Sequence, residues 1–412
     1  MNRILIAAAA SLTAAAMVSC GSSSSGSEES SAPYQDITAP AKTVAYHDAD
    51  FGEYVSNTFI ATGSNNIAVS SDSTTYVAYI PVEEYGSLDY RFYFSNTVDS
   101  TYSDGSLAYA GRPGEGFTIE SAFVSDGGTD ISSEPASVTP VTFGGSTSKE
   151  VSPDEMFWSD PVVFDVPEGH FLRWEWTLTG ENIPATSMSN LTKVGFLNED
   201  GSIGYCDEVP LPKLFGAKRD VKYRVTAIGD SITQGCQTQF MEYEFWAARI
   251  AQALGSDYSF WNCGLGWSRT SDMALNGDWL QRAANSDVVI VAFGTNDIIS
   301  GEYGGDGGNT PDEIDGYLRT VLDKLTEYSC GVIVFNAPPE DYKEPLETVR
   351  TEYNEKLKAT CEEYGVAYFD FAGLLSEPSA PAHALYGGHP NGEGGQIIAD
   401  EFLKQYSAFL GL

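Results

Sequence analysis

Positive charge is what this sequence lacks most. Against 58 aspartates and glutamates stand 22 lysines and arginines, a formal net charge of −36 over 412 residues. Such a chain repels a phosphate backbone, so nucleic acid is not an expected partner. The acids are spread out with no long acidic block, which reads as a strongly solvated surface. Histidine is scarce at four residues, and the six cysteines contain no Cys-x-x-Cys pair. Neither a zinc set nor a redox motif is supported. The glycine-rich run 301–308 has no Gly-x-x-x-x-Gly-Lys pattern around it, so it does not read as a phosphate cradle. No metal and no organic cofactor is expected.

One apolar run opens the chain, from Ile4 to Val18, followed by Ser19-Cys20-Gly21. It is too short for a stable membrane anchor and has the layout of an export signal. The small residues before Cys20 resemble the lipobox of bacterial lipoproteins, which implies cleavage after residue 19 and acylation of Cys20. Residues 20–40, Ser-rich with Glu28 and Glu29, then read as a tether. The expectation is a cell-envelope lipoprotein, periplasmic or at the cell surface, that meets the membrane only through its lipid; the alternative is a soluble secreted protein.

From 41 to 218 the pattern is short alternating strands rich in Tyr, Phe, Val and Thr, such as Thr75 to Ile80, Tyr90 to Ser95, Pro161 to Val166 and Phe171 to Leu178. Gly, Ser, Asp and Asn turns separate them, which predicts an antiparallel β-sandwich. Pro210, Pro212, Gly216 and the stretch 218–222 mark a junction. From 219 to 412 apolar strands at 223–228, 258–263, 288–293, 331–335 and 366–369 alternate with helix patterns, which predicts a parallel sheet covered on both faces. The helix near 311–328 is the plainest: Thr310, Pro311 and Glu313 supply a cap, a first-turn proline and a capping-box acid. A second helix pattern runs 240–254 and a last one follows Pro390-Asn391.

Three segments carry the chemistry. Val-Thr-Ala-Ile-Gly-Asp-Ser-Ile-Thr at 225–233 delivers Ser231 to the turn after a buried strand; Phe-Gly-Thr-Asn-Asp at 293–297 follows another; Gly-His-Pro-Asn at 388–391 precedes the last helix. Loops at the carboxyl ends of parallel strands converge in space, so these distant residues can meet. A serine needs a base, and His389, held extended by the following proline, is the candidate, with His383 as rival. In order and spacing the segments resemble the motif blocks of the SGNH (GDSL-type) hydrolases. The resemblance covers 221–412 and implies a three-layer α/β/α domain that cleaves esters through an acyl-enzyme on Ser231. It gives the oxyanion roles to the Asn296 side chain and the Gly266 amide, beside that of Ser231. Asn262-Cys-Gly-Leu-Gly-Trp-Ser-Arg269 is one residue shorter than the family's block, so Gly264 is the alternative to Gly266. Trp267 is either a wall of the substrate pocket or core; Trp246 reads as packing. Upstream, Arg91-Phe-Tyr-Phe-Ser-Asn96, Phe143-Gly-Gly and Ser159-Asp160-Pro161-Val162 resemble the jelly-roll-like sandwich of some secreted bacterial GDSL-type esterases.

The expected substrate is a small ester or an acylated polysaccharide, with acetyl groups on carbohydrate the first choice. The rivals are a lipid esterase or thioesterase, and a glycan-binding surface protein without activity. Most family members have an aspartate three residues before the histidine; here that position is Tyr386. The expectation is a Ser231-His389 dyad oriented by a backbone carbonyl of 386–388, with Asp370 and Glu377 as alternative acids. For the amino terminus, Cys20→Ala is predicted to release the protein from membranes. Intact mass should show acyl addition on the native chain, and an unmodified, soluble native protein would end the lipoprotein reading.

Overall fold

Alternating apolar residues build the first half as two stacked antiparallel sheets. In the computed structural model the described residues are 49–412, except 101–109, 132–134, 136–137, 188–190, 207, 276, 300–308, 341, 343 and 376–388. Of the residues singled out above, Cys20, the 301–308 run, Glu377, His383 and Tyr386 lie outside them. One sheet runs Val55–Ser56, Leu214–Ala217, Gly86–Ser95, Met156–Trp158, with Val162–Val166 also on Gly86–Ser95. The other has eight strands centred on Asn66–Ile80, Leu172–Ser187 and Phe117–Asp126. Leu172, Trp174, Trp176 and Leu178 alternate with outward residues and are buried. They meet the opposite sheet through Phe92 on Trp174, with ring centroids 4.7 Å apart, and Phe94 on Trp176 at 5.4 Å. These rings are core, and aromatic pairs of this kind add about 0.5–1.5 kcal/mol beyond their buried area. Both long strands extend past the expected segments, through a polar Ser70–Thr75 stretch that register shifts keep in the ladder.

The second half is a five-stranded, all-parallel sheet in the order Ser259–Gly264, Arg224–Gly229, Val288–Ala292, Gly331–Phe335, Ala367–Phe369. Helices cover both faces, as the alternating grammar requires. Pro311–Glu327 starts with the expected capping box, Glu313 N donating to Thr310 Oγ1 at 3.3 Å and Thr310 N to Glu313 Oε2 at 2.8 Å. Gly392–Leu410 buries Ile398, Phe402 and Phe409. The 240–254 pattern is helical only over Trp246–Leu254. Met241 and Tyr243 have φ of 58° and 50°, left-handed values that stop a helix from propagating.

The junction is not a loose linker. The Arg219 guanidinium, fully buried, bonds Glu83 at 2.6 Å and Glu84 at 3.0 Å on the sandwich side, and the carbonyls of Ser256 and Tyr258 on the other. The outer face of the five-stranded sheet joins a core shared with the parallel half, including Phe51, Tyr93, Leu214, Trp261 and Leu265. Within it lies a charged cluster. Asp99 accepts from Ser64 N at 2.9 Å, Lys213 Nζ at 2.8 Å and Arg282 Nη2 at 3.0 Å, and Arg282 also pairs with Asp278. Burial alone raises the pKa of the Asp99 carboxyl; Arg282 and Lys213 outweigh it and hold the group below its usual range. Removing one member leaves buried charge uncompensated. Arg282→Met is therefore predicted to destabilise the fold by about 3–5 kcal/mol in urea titration; a loss under about 1 kcal/mol, the worth of an exposed pair, would show that the cluster is solvated.

Candidate active site

Ser231 opens a four-residue helix, Ser231–Gln234, immediately after the Arg224–Gly229 strand. The turn is tight because the backbone forces it: a Cβ on Gly229 would lie 2.5 Å from the Ala292 carbonyl oxygen, and one on Gly264 would lie 2.4 Å from Gln234 N. Asp230 caps the helix, accepting from Ile232 N at 2.9 Å. The strand that feeds Ser231 pairs with both neighbours, at the point where the strand order reverses, which is where open α/β sheets form their ligand crevice. His389 approaches from the segment before Gly392–Leu410, where Asn391 Oδ1 accepts from Gly394 N at 3.0 Å. Ser231 Oγ and His389 Nε2 are 2.8 Å apart. At that distance the hydroxyl can donate to Nε2 when that nitrogen carries no proton, the geometry a nucleophile and its base require.

Asn296 sits in the Thr295–Ile299 helix after the third strand, nearly buried, and one Nδ2 hydrogen is held by the Ser268 carbonyl at 2.9 Å. Its second amide hydrogen is left for another acceptor. Gly266 N–H, expected to face an oxyanion, instead donates to Gln234 Oε1 at 2.7 Å, and Gly264 N–H donates to Asn262 Oδ1 at 2.9 Å. Both glycine amides are therefore committed to fixing the loop. Trp267 follows in a turn closed by Ser268 N donating to the Leu265 carbonyl, and has φ of 64°, a value bulky residues rarely adopt. Such strain persists only where surroundings over-determine it. Here they include Asn65 Nδ2, 3.5 Å from the Gly266 carbonyl, and Gln234 Nε2, 3.3 Å from the Ser187 carbonyl. Asn65 and Ser187 come from the sandwich and bond each other at 3.1 Å. Sequence reasoning missed Gln234, Asn65 and Ser187, because none belongs to a motif and two of them precede the Ser231 segment.

Of the acids weighed for orienting the base, Asp370 is occupied elsewhere: its Oδ1 accepts from Asn336 Nδ2 at 2.9 Å and from Gly373 N at 3.1 Å. Trp246 is buried against Phe335, with centroids 4.9 Å apart. Among the described residues no three His, Cys, Asp or Glu side chains gather into a metal-binding group, and five free cysteines form no disulfide.

With this geometry in place, comparison with known proteins gives the class. Residues 227–397 match the model of the GDSL-like Lipase/Acylhydrolase family. No curated protein matches. Among solved structures, a member of the lipolytic protein G-D-S-L family from Veillonella parvula is 23% identical over 45% of this chain and 98% of its own, with a TM-score of 0.38. An acetylxylan esterase from Geobacillus stearothermophilus is 20% identical over 47% of this chain and 95% of its own, with a TM-score of 0.36.

Two fully buried carboxyls, Asp230 and Asp297, lie near the Ser231 turn. Burial pushes Asp230 up to about 7, against the bond from Ile232 and with the nearby Asp297 charge adding to the rise. Burial likewise lifts Asp297 to about 6, against bonds from Thr270 N and Oγ1, both 2.9 Å. An unfolded aspartate titrates near 3.9, so the folded state holds protons that the unfolded chain has released. Their contribution to stability is full below about pH 4 and is lost as pH rises through about 6 to 7. Asp297→Asn is predicted to flatten part of this fall, at most about 3 kcal/mol between pH 4 and 8 by urea titration; an unchanged slope would mean Asp297 is ionised throughout.

Proposed function

We propose that this protein is a serine ester hydrolase that works through an acyl-enzyme. The observation that carries the reading is the 2.8 Å contact between Ser231 Oγ and His389 Nε2. In the proposed cycle Ser231 Oγ attacks the ester carbonyl while His389 Nε2 takes the hydroxyl proton. The oxyanion of the tetrahedral intermediate accepts from the free Asn296 amide hydrogen and from the Ser231 backbone N–H, which as a helix's first amide lies outside the helical ladder. His389 returns its proton to the departing alkoxide, the C–O bond breaks, and Oγ keeps the acyl group. Water, deprotonated by His389, then releases the acid and restores Ser231.

As substrate we propose short acyl groups, acetyl first, on carbohydrate. The support is compositional: Gly301 to Thr310, which follows Asn296 in sequence, is rich in Gly, Glu, Asp and Asn with a single aromatic, Tyr303, and so has little apolar surface to offer a long acyl chain. The lipid anchor proposed at Cys20 would hold this activity at the cell envelope, where acylated polysaccharides occur.

Ser231→Ala is predicted to remove hydrolysis of acetyl esters by at least about 10⁴-fold with the fold retained, measured on acetyl, butyryl and octanoyl esters beside acetylated polysaccharide. Near-native turnover would end the nucleophile assignment, and faster octanoyl than acetyl turnover would overturn the short-acyl reading. Asn296→Ala should lower kcat about 10²- to 10³-fold with little change in KM. For the base, Asp370→Asn should leave activity within about tenfold. A collapse of about 10⁴-fold would instead make Asp370 a triad acid.

A further inference from the structure

The outer face of the eight-stranded sheet carries a second site, far in sequence from the ester chemistry. Ser125, Arg173, Tyr79 and Lys193 are paired neighbours across four adjacent strands and so share one face. It is the outer face, because the residues beside them, Val124, Trp174, Ala78 and Val194, belong to the sandwich core. An arginine in such a row is ordinarily solvated, yet Arg173 is 4% exposed. Its Nη2 lies 2.6 Å from Glu175 Oε2 and its guanidinium stands over the Tyr79 ring, 6.0 Å from the centroid. Nε and Nη1 are buried with no hydrogen-bond partner, and so is Ser125 Oγ beside them. The cover is specific: Gly127 packs so closely that a Cβ there would meet Tyr79 and the Phe171 carbonyl at 3.0 Å.

Beside the guanidinium opens a cavity of about 400 Å³, lined by Arg173, Lys193 and Tyr79 and by the apolar Val138, Leu197 and Ile203. Glu175 also lines it and neutralises one of the two cations. Lys193 makes no ion pair among the described residues. Buried donors left idle are costly, so the arrangement selects an acceptor, and the surplus positive charge selects an anion. The volume far exceeds one small ion, and the aliphatic and aromatic walls give an inorganic anion nothing. A pyranose bearing a carboxylate has both halves of the match, an anionic edge and apolar C–H faces. From this we infer that the cavity binds a uronic acid residue of a glycan, its carboxylate on Arg173 and Lys193 and its ring against Tyr79 and the aliphatic wall.

The test uses the whole protein and ligands that carry no ester, so its result is independent of the proposed hydrolysis. Calorimetric titration with trigalacturonate should show binding, with the neutral galactotriose at least tenfold weaker. Arg173→Gln and Lys193→Gln should each weaken trigalacturonate by about tenfold or more, the usual cost of a lost bond to a charged group. Hydrolysis of a small acetyl ester should be unchanged in both. Equal affinity for the neutral trisaccharide, inorganic phosphate binding as tightly as trigalacturonate, or no detectable trigalacturonate binding would overturn the inference. Lys193 is partly exposed, so should Arg173→Gln not fold, an unchanged affinity in Lys193→Gln alone would do so.

Discussion

Asp99 is the point on which the two halves depend. A carboxylate removed from water must be surrounded by donors, and those that reach it come from three separate parts of the chain: Ser64, Lys213 and Arg282. Two belong to the sandwich and one to a helix of the parallel half, so meeting the demand of one charge fixes their mutual position. The consequence reaches the active site. Ser64 is followed by Asn65, which bonds Ser187 and lies against the Gly266 carbonyl, while Ser187 and Gly266 are both bonded by Gln234 of the Ser231 helix. The Ser231 turn and the loop beside it are thus held partly from outside the parallel half. The sandwich is a structural member of the site, whatever else it binds.

The environment of Ser231 sets a constraint of its own. Asp230 and Asp297 are both buried, and the Asp297 charge adds to the cost of ionising Asp230, as Asp272 does for Asp297. Protons retained on them keep negative charge low beside Ser231, where the proposed reaction would develop an oxyanion. The same two groups add a contribution to stability that is present at acid pH and lost as pH rises, so they link folding to the electrostatics around Ser231.

Much of this was legible in the sequence, for identifiable reasons. The parallel strands appeared within a residue or two because strands buried on both faces are continuous apolar runs. The Pro311–Glu327 helix carried its own start signal in Thr310 and Glu313. Ser231, Asn296 and His389 stand out in the sequence because each sits in a short motif at a strand or helix end. The engagement of Gly266 N–H by Gln234 is not legible there, because an amide's partner has no sequence signature. The irregular stretch before Trp246 was missed because an amphipathic pattern does not register left-handed residues at 241 and 243. Nor does any periodicity tell which face of a five-stranded sheet will be buried twice.

The scarcity of positive charge takes on meaning in the structure. Of 22 lysines and arginines, Arg173, Lys213, Arg219, Arg269, Arg282 and Arg350 are buried. Cations are thus drawn inward, leaving the surface more acidic than the composition alone suggests. Lys213, Arg219 and Arg282 have buried acids to answer. Arg173 differs, since Glu175 engages a single nitrogen and two others have no acceptor. A surface of this sign does not gather anions by long-range attraction, which salt screens beyond about 8–10 Å in any case. Recognition of an acidic ligand by such a protein therefore has to be made by contact, at a cation shielded from the surrounding field, and Arg173 is placed where those two conditions meet.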